Sequence, residues 1–345
     1  MVFLYNFKKS NTNINDQNGT IKRIVKLYGF FCKRELIIGN RIKMGGENYE
    51  NIFNPVNGYK KLKITDVDDV IFDDIVPCIE NMGSYILMEY ITHSSDSFAD
   101  YYNFSRGLKN ERYTRMFILK IIQSFTFGIK TLSALKELDI VHMEIYPKNI
   151  QFIKDNYMML SNFTHSFYNG EIEDERKSTS KNIFGSYDKN NIYWPLEVQM
   201  LCYLNENGLH SLSKSNINEV IYDFNCCHSK SSIGKYTLHP NIERESECRP
   251  ITRLINLSAA DISREIFKMS ATWNAYSYGI LFLHLIAFIE DNIGSSSFTT
   301  GFSHILIDTI HFDWTQRECI DEVGVEIDRF VYGINEKDWI DICRC

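Results

Sequence analysis

The sequence predicts an α+β protein in which a small β-rich N-terminal part, residues 1–92, precedes a larger helical part, residues 93–345. Up to about residue 90 the apolar runs are short and interrupted by Gly, Asn and Pro, which is typical of strands. From Tyr113 to Leu138 the apolar residues recur at helical spacing. With 345 residues, 44% of them hydrophobic, the chain can form two modest domains or one large bilobal one.

In the N-terminal part, three short apolar runs predict strands of a small sheet: Leu36–Ile38, Lys61–Ile64 and Tyr85–Met88. The stretch Lys8–Thr20 is polar and predicts a flexible segment or an early turn.

In the helical part, the long helix is followed by a predicted hairpin, with strands at Ile150–Ile153 and Tyr157–Leu160. The polar stretch Ser211–Ser258 predicts short helices between long loops. Further helices are predicted at Leu196–Asn205, Ser277–Ile289 and Ser303–Phe312.

Composition argues against several classes of function. The net charge is −7 without a basic tail, so we expect no nucleic-acid partner. The nine cysteines include no CxxC pair, which argues against a zinc site and favours reduced thiols in an intracellular protein. The longest apolar stretch, Ile280–Ile289, is about half of a bilayer span and predicts a buried core helix rather than a membrane anchor.

The candidate chemistry lies in residues 141–164, between the long helix and the end of the hairpin. This stretch resembles the catalytic loop of protein kinases, H-R-D-[LI]-K-P-x-N, followed by a hairpin and D-F-G. The residues that match in place are His142, Ile145, Pro147 and Asn149. Asn162–Thr164 occupies the D-F-G position, thirteen residues after Asn149.

Other stretches match the protein kinases in the same order along the chain. Trp194–Glu197 resembles the A-P-E end of an activation segment, and Asn274–Gly279 resembles D-V-Y-S-F-G. Leu87–Tyr90 resembles the last strand of the N-lobe as it enters the hinge, which implies a cofactor contact for Glu89. The resemblance implies a bilobal protein-kinase-like fold, with a β-rich N-lobe and a helical C-lobe.

A narrower resemblance comes from the pairing of Tyr193–Glu197 with the later Thr272–Asn274. This pairing is similar to that in the Ser/Thr kinase-like proteins of large DNA viruses. A viral source would imply the host cytoplasm or the virion as the location.

The chain departs from the kinase pattern where phosphoryl transfer needs charge. Glu144 stands where the catalytic Asp accepts the substrate proton, and its extra methylene misplaces the carboxylate. Tyr146 replaces the catalytic-loop Lys. Asn162 replaces the metal-binding Asp, so Asn162 and Asn149 would give only a weak metal site, and binding of Mg²⁺ or Mn²⁺ is doubtful. Alternatively, the two amides only hydrogen-bond the loop backbone.

The resemblance implies ATP as the cofactor. Gly45 and Gly46 are the candidates for the phosphate-covering loop, and Lys63 is the candidate for the strand lysine, with Lys61 second. The interval from Lys63 to Tyr85 leaves little room for a helix with a partner Glu, and Glu80 is its one glutamate.

Two residues are expected to support the loop. His142 is predicted to have a structural role. Asn274 replaces an Asp that braces the loop, and we expect its amide to accept one hydrogen bond in a weakened brace.

The sequence therefore predicts a pseudokinase that acts as a binding or regulatory scaffold for a protein partner. The alternative is an active, atypical Ser/Thr kinase that uses Glu144 as base on a protein substrate. A phosphotransferase for small molecules and an unrelated α+β protein with chance motif matches are also open.

Overall fold

The computed structural model describes residues 2–5, 20–27, 30–46, 49, 52–56, 58–62, 85–92, 96–98, 100–101, 103, 111–153, 157–170, 182–237 and 249–334. Within these residues the fold is mixed α+β with helices predominating, which confirms the predicted fold class at that level. Lys63 lies outside the described residues.

The strands described in the structure form three sheets. In chain order they are β1 (Val2–Tyr5), β2 (Thr20–Leu27), β3 (Phe53–Asn54), β4 (Gly58–Leu62), β5 (Tyr85–Thr92), β6 (Asp96–Ser97), β7 (Ile140–Val141), β8 (Ile150–Ile153), β9 (Tyr157–Ser161) and β10 (Phe167–Tyr168).

The described helices concentrate in the second part of the chain. They are α1 (Phe30–Met44), α2 (Glu111–Glu137), α3 (Leu196–Glu206), α4 (Lys214–Ser229), α5 (Gly234–Thr237), α6 (Arg249–Thr252), α7 (Ala259–Phe267), α8 (Trp273–Ile293), α9 (Ser297–Thr309) and α10 (Ile320–Gly333). Short 3₁₀ turns lie at Pro147–Asn149, Ser270–Thr272 and Trp314–Gln316.

The N-terminal sheet has the order β1-β2-β5-β4, and every neighbouring pair is antiparallel. The strand predicted at Tyr85–Met88 is confirmed as part of β5. Of the run predicted at Lys61–Ile64, only its first two residues are described, at the end of β4.

The strand predicted at Leu36–Ile38 was wrong, because these residues lie in the middle of α1. Ile38 and Ile42 are fully buried, and so is Glu35 at the other side of the same stripe. Spacings of three and four residues bury one face of a helix, whereas a strand would bury alternate residues. A run of three apolar residues fits either element, which is why its local pattern misleads.

Helix α1 ends at the two glycines that the sequence assigned to a phosphate-covering loop. Gly46 has a φ of +111°, and a Cβ at Gly45 would overlap the ring of Tyr49 and crowd Leu138. Glycine is favoured where a helix ends with positive φ or where the chain packs closely. Gly45 and Gly46 thus end α1 against the end of α2, and a phosphate-covering role for them stays a prediction.

The predicted hairpin is confirmed as β8 and β9, which pair antiparallel in a sheet of order β3-β9-β8-β6. A separate two-stranded pair, β7 with β10, lies on either side of this hairpin in sequence. Residues 141–164 therefore begin in one sheet and end just after another, with the 3₁₀ turn Pro147–Asn149 between them.

Helices α2 and α8 contact each other inside the hydrophobic core. The hydroxyl of Tyr278 donates to the carbonyl of Phe125 at 3.1 Å, and the two rings stack with centroids 5.0 Å apart. A Cβ at Gly128 would overlap the Tyr278 hydroxyl, so only glycine permits this approach. The helices predicted at Tyr113–Leu138, Leu196–Asn205, Ser277–Ile289 and Ser303–Phe312 are confirmed in type, with ends shifted by a few residues.

By length and composition, two described helical stretches could cross a membrane, Met116–Glu137 and Ser270–Asn292. In their most apolar windows, 56% and 89% of the residues are buried inside the protein. The second stretch includes Ile280–Ile289, and the prediction of a buried core helix there is confirmed.

Candidate functional site

The start of the 141–164 segment is held by the side chain of Asn274, at the first turn of α8. Its Oδ1 accepts the backbone N–H of His142 at 2.9 Å, and its Nδ2 donates to the carbonyl of Ile140 at 3.0 Å. The amide thus makes two bonds with the segment, where the sequence predicted a weakened brace with one. An amide can donate and accept at once, which a carboxylate cannot.

The His142 side chain is fully buried and supports the loop from within. Its Nε2 donates to the carbonyl of Ser161 at 3.1 Å, and its Nδ1 accepts the backbone N–H of Glu144 at 3.2 Å. The ring also packs edge-on against Phe163. Burial lowers the pKa of His142 to about 4, so the ring is neutral at pH 7. These contacts agree with the structural role expected for it.

Glu144, the residue at the base position, has both carboxylate oxygens engaged. Its Oε2 accepts Nδ2 of Asn162 at 2.7 Å, and its Oε1 lies 3.2 Å from Nδ1 of His165. The residue is 9% exposed. Burial by itself raises the pKa of Glu144, but His165, with smaller contributions from His142 and Lys148, outweighs it and holds this pKa below its ordinary value. The carboxylate is therefore ionised at neutral pH.

Asn149 and Asn162 complete this network, so the structure brings together three of the residues predicted for the site. Asn149 donates from Nδ2 to the backbone carbonyl of Glu144 at 2.9 Å, and its Oδ1 accepts Nδ2 of Asn162 at 3.4 Å. Asn162 has a φ of +65°, in the left-handed region that Asn tolerates better than most residues. Its Oδ1 accepts the hydroxyl of Thr164 at 2.7 Å.

This donor set fits a hard dication poorly. The N–H side of the Asn162 amide faces the oxygens of Glu144 and Asn149, so a metal would require the amide to turn over and give up its bond to Thr164. Mg²⁺ prefers carboxylate ligands, and here one carboxylate stands with two neutral amides. Among the residues that the structure describes, there is no group of three or more His, Cys, Asp and Glu that could hold a metal ion.

Tyr146, which stands in place of a lysine, joins the segment to residues 182–195. Its hydroxyl accepts Nδ2 of Asn191 at 2.8 Å, and its ring packs against Tyr193 with centroids 5.1 Å apart. Burial raises the pKa of Tyr146, so the phenol is neutral. No local pattern points to Asn191, because its contact with Tyr146 joins residues that are far apart in the sequence.

Helix α1 contributes a carboxylate that the sequence analysis missed. Glu35 is 1% exposed, and its Oε2 lies 3.2 Å from the hydroxyl of Thr164, whose one proton is shared between this carboxylate and the closer Oδ1 of Asn162. The neighbouring Arg34 donates from Nε to the carbonyl of Ser166 at 2.9 Å. The wrong strand at Leu36–Ile38 hid this helix, although the two glycines after Met44 are a recognisable stop signal for one.

A buried ion pair holds Glu197, in the first turn of α3. Arg317 binds both carboxylate oxygens of Glu197, one of them at 2.9 Å, and Trp273 donates to the same carboxylate at 3.0 Å. Closer to the site, Trp194 donates from Nε1 to the carbonyl of Met143 at 2.7 Å. Trp194 thus ties residues 194–197 to Met143, while Glu197 ties them to Trp273 and Arg317.

The other predicted site residues lie away from this network or outside the described residues. Gly45 and Gly46 lie at the end of α1, beside Leu138. Glu89 lies in the middle of β5, opposite Arg23 of β2. Lys63 is outside the described residues, so the structure gives no partner set for a nucleotide.

No protein-family model matches the chain, and no curated protein matches it significantly.

Proposed function

We propose that this chain has a bilobal protein-kinase-like fold, with an N-lobe of residues 1–92 and a C-lobe of residues 93–345, and acts as a pseudokinase. In this proposal it is a binding or regulatory scaffold for a protein partner. The observation that carries the proposal is the bond from the Asn162 amide to the Glu144 carboxylate at 2.7 Å. That bond joins the two positions that must face substrate and metal in a phosphotransferase.

Three chemical groups needed for phosphoryl transfer are weakened together. The base has an amide donor on one oxygen and an imidazole beside the other. The position of the catalytic lysine holds the neutral phenol of Tyr146, bonded to Asn191. The metal position holds the neutral Asn162. Because catalysis of this reaction is mostly positioning and charge neutralisation, the combined changes remove most of what accelerates it.

The kinase-like part of the proposal is supported by α1 and the sheet around it. Helix α1 follows β2, which pairs with β5, and it brings the buried Glu35 to the residue after Phe163. On this arrangement the strand lysine belongs on β2, which holds Lys22 and Lys26, instead of at Lys63.

The second candidate is an active, atypical Ser/Thr protein kinase with Glu144 as base. The lowered pKa of Glu144 favours it, because an ionised carboxylate can accept the proton of a substrate hydroxyl. For this activity Asn162 must release Glu144 and turn its oxygen toward a metal.

Binding of ATP with and without divalent metal tests the proposal. The melting temperature of the purified chain is measured with ATP alone, with ATP and Mg²⁺, and with ATP and Mn²⁺. We expect that neither metal increases any shift that ATP causes. A metal-dependent shift that disappears in Asn149→Ala, but is kept in the exposed control Asn292→Ala, would overturn the proposed loss of the metal site and favour the second candidate.

A protein partner fits the acidic net charge of −7, which disfavours nucleic acid. We place the function inside the cell, in the host cytoplasm or the virion if the source is a large DNA virus.

A further inference from the structure

A cavity of about 210 Å³ lies in the helical part of the protein, away from the 141–164 segment. It lies between α4, α5, the start of α8 and the C-terminal end of α9, and it is partly open to solvent. Its walls include Phe224, His228, Tyr236, Tyr276, Ile307 and His311.

The size and walls of the cavity suit an aromatic ring. Phe224 and His228 pack with ring centroids 4.1 Å apart on one side, and Tyr276 and Tyr236 add two further rings. A dry cavity of about 150 Å³ accepts benzene, so the larger volume here accommodates one ring or two fused rings. Flat aromatic surfaces favour a flat ligand through offset or edge-on packing.

A polar pair lies at the buried end of the cavity. Of these six wall residues, His228 and Tyr276 are buried, whereas the other four are half-buried. His228 donates from Nδ1 to the carbonyl of Phe224 at 2.9 Å, which leaves Nε2 to accept the Tyr276 hydroxyl at 3.1 Å. The Tyr276 oxygen, having donated its proton, keeps lone pairs that can accept a hydrogen bond from a ligand.

The pair is uncharged and rigidly supported. Burial lowers the pKa of His228 to about 4, so the ring is neutral at pH 7. Behind Tyr276, the guanidinium of Arg317 lies 4.9 Å from the ring centroid and is held by its ion pair with Glu197. A neutral, fixed acceptor selects a neutral ligand with a hydrogen-bond donor and gives no partner to an anion.

We propose that this cavity binds a small, neutral, planar aromatic molecule that carries an N–H or O–H donor, of the indole or phenol type. The donor reaches the Tyr276 oxygen at the buried end, and the ring lies among Phe224, Tyr236 and Ile307. The half-buried His311 side lies toward solvent and leaves room for a substituent. This inference does not depend on the proposed pseudokinase function.

Titration of the full chain with indole, followed by NMR of ¹³C-labelled isoleucine methyl groups, tests the proposal. We expect saturable shifts at Ile307 and Ile310, with a Kd on the order of 0.1 mM. Indene has the shape of indole but lacks the N–H, and we expect it to bind about tenfold more weakly. Equal affinity for the two molecules, or no saturable shift with indole, would overturn the proposal.

Two tryptophan substitutions on α9 locate the site. Ile307→Trp fills the cavity, and we expect it to abolish the indole-dependent shifts at Ile310. His304→Trp adds the same side chain at an exposed position of the same helix, and we expect it to leave binding unchanged. Unchanged binding in a folded Ile307→Trp protein would also contradict the proposal. If this variant does not fold, the comparison of indole with indene in the unaltered chain decides.

Discussion

The two sides of the 141–164 segment differ in where their hydrogen bonds go. On one side, His142 and Asn274 bond to backbone groups that belong to other parts of the chain. On the other side, the side chains of Glu144, Asn149 and Asn162 bond to one another. The bonds of His142 and Asn274 fix the path of the backbone. The bonds among Glu144, Asn149 and Asn162 occupy the polar atoms that would otherwise contact a substrate or a metal.

This difference teaches that the shape of the loop and its chemistry are separable. A buried polar group that loses its partner costs free energy of folding, so changes on the first side must weaken the protein. Changes on the second side replace one internal bond with another or with water, so they alter binding more than folding.

As the pH falls, the stability that depends on His142 should be lost before the stability that depends on Glu144. The pKa of His142 is about 4 in the folded protein and near 6.5 when unfolded, so the unfolded chain binds more protons between these values. The stability from a neutral His142 is therefore complete above about pH 6.5 and is lost as the pH falls to 4, by up to about 3 kcal/mol. The lowered pKa of Glu144 gives a contribution that is lost only at lower pH, below its ordinary value of 4.5.

Urea unfolding from pH 7 to pH 4 measures this loss. We expect His142→Gln, which does not titrate, to reduce the slope of unfolding free energy against pH by up to one proton. His210→Gln, at an exposed position, is the control and should leave the slope unchanged. An unchanged slope in the His142 variant would contradict the assignment of a buried neutral ring.

Loss of the buried ion pair between Arg317 and Glu197 should give the largest effect of any single substitution. Arg317 and Glu197 have side chains that are 1% and 0% exposed, so Arg317→Ala leaves a buried carboxylate without its partner. We expect a loss of about 3–5 kcal/mol in unfolding free energy. Lys136→Ala breaks an ion pair with Asp321 whose side chains are 45% and 54% exposed, and should cost less than about 1 kcal/mol. Similar costs for the two variants would contradict the burial argument.

The bonds that Asn274 makes to the backbone can be compared directly with the bond from Asn162 to Glu144. Asn274→Ala removes two buried bonds to the backbone of residues 140–142, and we expect it to cost about 2–3 kcal/mol. Asn162→Ala removes the amide from Glu144, whose carboxylate keeps His165, and places Ala at a φ of +65°, so we expect a cost of about 1–2 kcal/mol. Chemical unfolding of both variants measures the difference. If Asn162→Ala were the more damaging, the two sides would not be separable.

A charge at position 162 should restore a metal site at a small cost in stability. Asn162→Asp replaces an amide 2.7 Å from the Glu144 carboxylate with a second negative charge. We expect the free energy of unfolding to fall by about 1 kcal/mol at pH 7 without metal, and Mg²⁺ or Mn²⁺ to recover the loss. Asn292→Asp, on the exposed end of α8, controls for the added charge. No difference in metal response between the two variants would count against the assignment.

The parts of the fold with long, regular patterns were predicted well from the sequence. Helix α2 has 27 residues, and β8 and β9 are two apolar strands close together in sequence that pair antiparallel, so in each the local pattern and the final structure agree. The prediction for α1 was wrong because the pattern of Leu36–Ile38 alone is typical of a strand. Only the burial of Glu35 and Ile42 on the same side shows that the stretch is one face of a helix.

The site was predicted in part. Glu144, Asn149 and Asn162 came together as expected, because their positions follow a fixed motif around a short hairpin. The partners Glu35, His165 and Asn191 were missed, and two of them come from separate elements whose packing no local pattern specifies. His165 follows the motif directly, so its position could have suggested it. The hydrogen bond from Asn162 to Glu144 depends on side-chain geometry, which cannot be deduced from the residue types alone.

Transfer of ³²P from [γ-³²P]ATP, in Mg²⁺ and in Mn²⁺, tests the central claim most directly. Purified wild-type chain and Glu144→Ala are compared in autophosphorylation and with a generic protein substrate. We expect the wild type to incorporate no more label than Glu144→Ala, because Asn162 occupies the base and leaves no metal site. Incorporation by the wild type that Glu144→Ala abolishes would contradict this account and identify an active kinase.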